Sequence, residues 1–189
     1  MMRLLFELDK GDHSLCTHDF VRPSARAILI RDGRIAMVHS LKYDYFKFPG
    51  GGIEKGEDPV QALIRETLEE AGLTVIPDSV REYGLVRRVQ KSPRDPTERF
   101  LQENFYFLCE AEPGRTAQKL DGYEADERFT PEFVEPETVI RVNRRGEHGP
   151  KDPMMLEREA RVLELLLQEG FLRKSSRRLN GTACRSVLI

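Results

Sequence analysis

Cysteine is scarce in this chain of 189 residues. Cys16, Cys109 and Cys184 are far apart and odd in number, which argues against a disulfide framework and suits reduced thiols. Long hydrophobic runs are missing as well. Stretches such as Ala27-Ile28-Leu29-Ile30 fall far short of the roughly 20 apolar residues that span a bilayer. Near the N-terminus, Glu7, Asp9 and Lys10 interrupt the apolar residues too early for a signal-peptide core. An excess of charge of either sign is also nearly lacking, since the formal net charge is −2. No global field draws nucleic acid, so phosphate binding has to come from local geometry or a metal. No repeat and no long low-complexity segment is visible. What remains is the composition of an ordinary globular protein, 39% apolar and 33% charged, long enough for one well-cored domain. A cytoplasmic location with no membrane contact is the expectation.

Strand and helix signals alternate along the chain. Residues 3–8 and 25–31 read as strands, and Asp32-Gly33 is a hairpin signal that returns the chain through 34–39. A glycine-rich loop covers 49–57. Residues 58–71 read as a helix, with Asp58 as N-cap, Pro59 at the first helical position and Gly72 past the end. Its positions Val60, Leu63, Ile64, Thr67, Leu68 and Ala71 recur at helical spacing and should face a sheet. Strands are expected at 80–89 and 103–110, separated by a loop from Gln90 to Arg99. A second loop, Glu112 to Arg128, leads to a strand near Phe129–Val134, and Pro136-Glu137 opens a short helix. Residues 153–169 form an amphipathic helix. Leu156, Ala160, Leu163, Leu166 and Leu167 share one face, while Glu157, Arg158, Glu164 and Gln168 lie elsewhere. A basic tail follows from 171 to 189. The pattern implies an α/β domain over 1–189, its core at about 22–140, built on a mixed sheet with helices packed on it.

The chemistry concentrates in Gly51-Gly52-Ile53-Glu54-Lys55-Gly56-Glu57 and in Arg65-Glu66-Thr67-Leu68-Glu69-Glu70-Ala71-Gly72-Leu73. Glu66, Glu69 and Glu70 stand at i, i+3 and i+4, which puts three carboxylates on one helix face and costs up to about 0.5 kcal/mol for each exposed pair. A cation relieves that repulsion, and clustered hard oxygens suit Mg²⁺ or Mn²⁺. Gly50, Gly51 and Gly52 let the backbone approach other groups closely, so a carbonyl can reach a metal and amides can reach phosphate. Arg65 can pair with Glu69 one turn on or with Glu57 in the loop. Taken alone, an acidic helix face is ordinary solvated surface. The long fixed spacing is what separates it from one.

Gly51 to Leu73 resembles the Nudix box of the MutT/Nudix family at all but one of its 23 positions, the exception being Thr67 where the family usually has a bulky aliphatic residue. The resemblance extends to the preceding hairpin and to Phe48-Pro49-Gly50, and becomes loose after residue 90. It implies an α/β/α sandwich with a C-terminal helix. The activity it implies is metal-dependent hydrolysis of a diphosphate bond in a nucleoside diphosphate linked to another group, a nucleoside triphosphate or an ADP-ribose-like small nucleotide. By that likeness Glu69 and Glu70 are metal ligands, Glu66 a further ligand or the base, Glu57 a supporting or additional-metal ligand, Arg65 their ion-pair organiser, and the Gly50 carbonyl another ligand. The family often draws a further ligand or base from the loop before the last core strand. Here that loop offers Glu127 first and Glu124 second.

Outside the box, Arg26, Lys47, Arg87 and Arg88, with the Gly51 and Gly52 amides, are candidates to hold phosphate. Tyr43, Tyr45 and Phe46 can stack on a base or pack in the core. The family's downstream substrate markers do not appear cleanly. His13, Cys16 and His18 lack the second ligand pair of a usual zinc site. The 153–169 helix either packs on the domain or serves a homodimer. A competing function is a non-catalytic Nudix-fold module that binds nucleotides or proteins, although such modules should have lost the metal-binding glutamates.

Overall fold

The computed structural model describes residues 2–173. Along the chain run β1 (Leu4–Asp9), β2 (His18–Ile28), β3 (Ile30–Arg31), β4 (Arg34–Ser40), β5 (Tyr45–Lys47), α1 (Pro59–Ala71), β6 (Arg81–Lys91), β7 (Glu98–Leu108), α2 (Gly122–Asp126), β8 (Phe129–Val134), α3 (Pro136–Arg144) and α4 (Pro153–Gln168). They form two four-stranded sheets. In the first, of order β1-β6-β7-β2, β6 and β7 are antiparallel while β1 and β2 flank them in parallel. In the second, β4 is central, with β8 along one edge and β3 and β5 along the other.

The two-residue period of the strands sorts their side chains into two cores. Ala25, Ala27 and Leu29, with Ala36 of β4, pack against Ala62, Leu63 and Ala71 of α1. Ile28, Ile35 and Met37 point the other way, to Val139 and Val142 of α3 and Val162, Leu163 and Leu166 of α4. Sheet lies between helices, which is the expected α/β/α sandwich. Among the described residues no helix is long and apolar enough to cross a membrane.

Helix α1 begins and ends on local chemistry. Asp58 accepts from the Val60 amide at 2.8 Å, Gln61 accepts from the Asp58 amide at 3.1 Å, and Pro59 fits the first turn. Gly72 closes it at φ 62, donating to Leu68 O.

Four expectations change. Strand β7 begins at Glu98 and β6 runs to Lys91, so the expected 90–99 loop contracts to 92–97. The cause is β2, whose first half pairs in parallel with Glu98–Glu103. That arm carries exposed or half-exposed residues on both faces and so shows no alternation to read. The expected 112–128 loop contains α2, a short turn capped at Asp121. Leu68 is exposed rather than packed on the sheet. On α4, Arg158 is fully buried although its apolar neighbours placed it outside. It pairs with Glu159 and donates to Asn104 Oδ1 at 2.6 Å, so its charge is satisfied within the fold. Of the basic tail, residues 174–189 lie outside the described residues.

Candidate functional site

The glycine loop is held as an extra edge beside β2. Ala27 N donates to Pro49 O, Ala25 N to Gly51 O and Ile53 N to Pro23 O, at 2.9, 3.0 and 3.1 Å. Gly50 sits at φ 133, where a Cβ would overlap the Ala25 carbonyl. At Gly51 a Cβ would overlap the Glu66 carboxylate, so the missing side chain is the space that carboxylate occupies. Arg65 ties loop to helix. It donates to both Glu57 oxygens at 2.9 Å, to Gly52 O at 3.2 Å, to Glu66 Oε1 at 2.7 Å and to Glu69 Oε2 at 3.3 Å. The Arg65 fork holds Glu57 below the usual carboxylate range, and Glu57 in turn raises Arg65.

Beside this loop lies a cleft of about 340 Å³. One wall is Gly50, Gly51, Gly52, Glu66, Glu70 and Glu124. The rest of the lining carries the cationic side chains of Arg22, Arg26, Lys47, Arg88, Lys151 and Arg158 among neutral ones. Glu70 is fully buried. It pairs with Lys47 and accepts from the Gly50 amide at 3.0 Å. Burial pushes its carboxyl up to about 7 against the pull of Lys47 and Arg26. Glu124 goes the other way. Against the upward push of burial, the Asp121 amide, a hydrogen bond with Glu70 and the Lys47 charge hold it below the usual range. Burial also draws Arg88 down to about 10, with Arg158 adding to the effect and Asp152 opposing it.

The structure brings Arg26, Lys47, Gly50, Gly51, Gly52, Glu66, Glu70 and Glu124 to one cleft. Glu57 and Glu69 stand outside its lining, on Arg65. Arg87 points away, toward Glu7 and Glu103, because adjacent strand residues face opposite sides. Arg88 takes the place in the cleft instead, and its parity with the core residue Val86 was the available signal. Glu127, the first choice in its loop, sits behind the cleft. It accepts from Tyr45 Oη at 2.7 Å and Ser40 Oγ at 3.2 Å and pairs with Lys151, while Glu124 lines the cavity. Tyr45 and Phe46 are buried, so neither ring offers a free face to a base. Lys151, Tyr123 and Arg158 also line the cleft and carry no motif that announces them.

The donor chemistry fits a divalent cation. Glu66, Glu70, Glu124 and the Gly50 carbonyl are all hard oxygens on one wall, and a side chain at Gly51 would take the room Glu66 uses. Three of these groups are held by a cationic side chain: Glu66 by Arg65, Glu70 by Lys47 and Gly50 O by Arg26. The wall is therefore built to carry positive charge. Among the described residues no three His, Cys, Asp or Glu side chains already converge as a metal cage. At the N-terminal cluster, His13 pairs with Asp9, and His18 stands 3.8 Å from Glu98.

Comparison with known proteins agrees with this architecture. An RNA pyrophosphohydrolase of Aeromonas hydrophila is 31% identical over 108 residues, covering 53% of this chain and 61% of that one. One from Xanthomonas axonopodis pv. citri is 30% identical over 126 residues, covering 61% and 57%. The chain thus spans about six-tenths of the length of these curated relatives. A solved NUDIX hydrolase from Nitrosomonas europaea superposes with a TM-score of 0.54 at 16% identity, covering 76% of this chain and 90% of its own, which is a likeness of fold. The NUDIX domain family model matches residues 21–156, taking in the glycine loop, α1, the Glu124 turn and the start of α4. With the box and the carboxylates of the cleft inside that span, which covers well over half of the chain, the chain belongs to the Nudix family.

Proposed function

We propose that this protein is a metal-dependent pyrophosphohydrolase that cleaves a diphosphate bond by attack of water on phosphorus. The observation that carries it is the cleft itself, in which carboxylates and a glycine carbonyl share one lining with arginines and lysines. Glu66, Glu70 and the Gly50 carbonyl would hold Mg²⁺ or Mn²⁺, with Glu57 and Glu69 fixing Arg65 and, through it, Glu66. The cation supplies charge neutralisation and a more acidic water. The protein's own groups do the rest. Lys47 and Arg26 reach into the cleft and take phosphate oxygens as charge-assisted donors. The Gly51 and Gly52 backbone lies along the same wall. Glu124, which lines the cleft beside these groups, accepts the proton of the attacking water.

The substrate is a nucleoside diphosphate bearing a further group, as in a nucleoside triphosphate or an ADP-ribose-like nucleotide. An RNA 5′ end is a second reading. The relatives' name supports it, as does the local basic wall that the overall charge of −2 conceals. Incubating the protein with Mg²⁺ and a panel of nucleoside triphosphates, ADP-ribose, dinucleotides, nucleotide sugars and 5′-triphosphorylated RNA tests all of these at once. Release of phosphate, pyrophosphate or nucleoside monophosphate is expected from at least one class. Inactivity on every member would leave the Nudix-fold binding module as the better account.

A further inference from the structure

The cleft does not end at Arg88. Beyond it a second cavity of about 530 Å³ opens along the β2–β7 arm, and the two share Arg22, Arg88 and Phe100. Phe20 and Phe100 lie directly opposite each other on the paired parallel strands. Their ring centroids are 6.1 Å apart and their planes 30° from parallel, and Phe20 is 44% exposed. Two large rings therefore stand at a cavity wall rather than in a core.

The acids of this pocket are already engaged. Asp152 pairs with Arg88 at 2.7 Å, Asp95 accepts from the Thr97 amide and hydroxyl, and Glu98 stands 3.8 Å from His18. The guanidinium groups of Arg22 and Arg94 make no hydrogen bond or ion pair among the described residues. Arg22 sits at the junction, its Nη2 3.9 Å from where a Gly52 Cβ would lie. Flat apolar faces beside uncommitted arginine forks, opening directly onto a diphosphate site, match a base together with its adjoining phosphate.

We propose that the arm pocket is a nucleobase subsite, in which the substrate's base stacks on the Phe20–Phe100 pair while Arg94 and Arg22 hold the adjoining phosphate. It rests on the diphosphate function proposed above for the cleft. Stacking on an aromatic platform is tolerant of base identity, because every base has a π face. Tyr123, the other exposed ring at the cleft, is less free. Its hydroxyl donates to Glu124 at 3.0 Å and its ring meets Phe129 edge-on.

The test is equilibrium binding with Mg²⁺ to two probes that cannot be hydrolysed. One is 2-aminopurine riboside 5′-methylenediphosphonate, whose fluorescence falls when its base stacks. The other is methylenediphosphonate alone, followed by calorimetry. The unsubstituted protein is expected to quench the first probe. Phe20→Ala should weaken that probe about tenfold with bare methylenediphosphonate bound as before, whereas Arg94→Ala should weaken both probes several-fold. Phe20 and Arg94 are surface residues, so neither variant threatens the fold. Tyr123→Ala should leave quenching intact. Absence of quenching by the unsubstituted protein, undiminished binding in both Phe20→Ala and Arg94→Ala, or loss of quenching in Tyr123→Ala alone would overturn the proposal. Quenching that depends on Phe20 in a protein that fails to bind methylenediphosphonate would keep the base subsite and remove the diphosphate function.

Discussion

The acidic wall of the cleft and its basic wall are built by different kinds of contact. The acidic wall is local apart from Glu124, since Gly50 to Glu70 lie within one loop and one helix, organised by Arg65. The basic wall is assembled from distant parts of the chain: Arg22 and Arg26 on β2, Arg88 on β6, and Lys151 and Arg158 near or on α4. Local placement is set by residue spacing and backbone freedom. Distant placement is set by strand register and by buried ion pairs. The two walls should therefore fail differently when changed.

The largest effect is expected at the acidic wall. Glu66→Gln should cut turnover about 10³-fold, roughly 4 kcal/mol of barrier, with little change in melting temperature, because Glu66 keeps some exposure and its partner Arg65 retains Glu57. Glu70→Gln should lose turnover similarly and also lose about 3 kcal/mol of stability, since it strands the buried Lys47 ammonium. Steady-state kinetics and thermal melts of the two variants separate these outcomes. Equal melting temperatures would mean that the Lys47–Glu70 pair does not support the fold.

At the basic wall the order reverses. Arg158→Met leaves the Glu159 carboxylate buried without its partner and should cost about 3 kcal/mol in denaturant unfolding. Adding Glu159→Leu should recover part of that loss, because an apolar pair carries no desolvation penalty. A double variant no more stable than the single one would show that α4 is not held by this charge pair.

Backbone freedom gives a narrower comparison within the box. Gly51→Ala pushes a methyl group into the Glu66 carboxylate and should lower kcat about 10²-fold by misplacing it. Gly52→Ala, whose nearest neighbour would be Arg22 Nη2 at 3.9 Å, should change kcat by less than about twofold. Similar losses in both would mean that the loop as a whole, and not the space under Glu66, is what matters.

How much of this was legible follows the same division. Asp58, Pro59 and Gly72 bracket α1 in the sequence as they do in the fold, since capping is local chemistry. The association of Arg65 with Glu57 and Glu69 could be read from spacing alone. The choice between Arg87 and Arg88 required strand parity relative to Val86. The β2–β7 arm could not be read from its β2 half, because His18 to Arg22 are exposed on both faces and carry no hydrophobic alternation. Arg158 could not be read either. A charged residue beside an apolar helical stripe goes outward unless a distant partner receives it, and Asn104 and Gln102 lie on β7.

The smallest effect separates the two glutamates of the α2 segment. Glu124 lies on the cleft wall with Glu70, at the N3 position of a capping box with Asp121. Glu127 lies behind, bound to Tyr45, Ser40 and Lys151. Glu124→Gln should therefore lower kcat more than about tenfold, over roughly 1.4 kcal/mol, with KM little changed, as expected for a proton acceptor rather than a binding group. Glu127→Gln should keep kcat within about tenfold and instead lower stability by about 1–3 kcal/mol, because the Lys151 charge loses its partner while the Tyr45 hydroxyl can still donate to the amide oxygen. The reverse pattern would move the base to Glu127 and require α2 to turn during catalysis. If neither variant loses tenfold, the proton acceptor lies within the box, and Glu66 becomes the candidate.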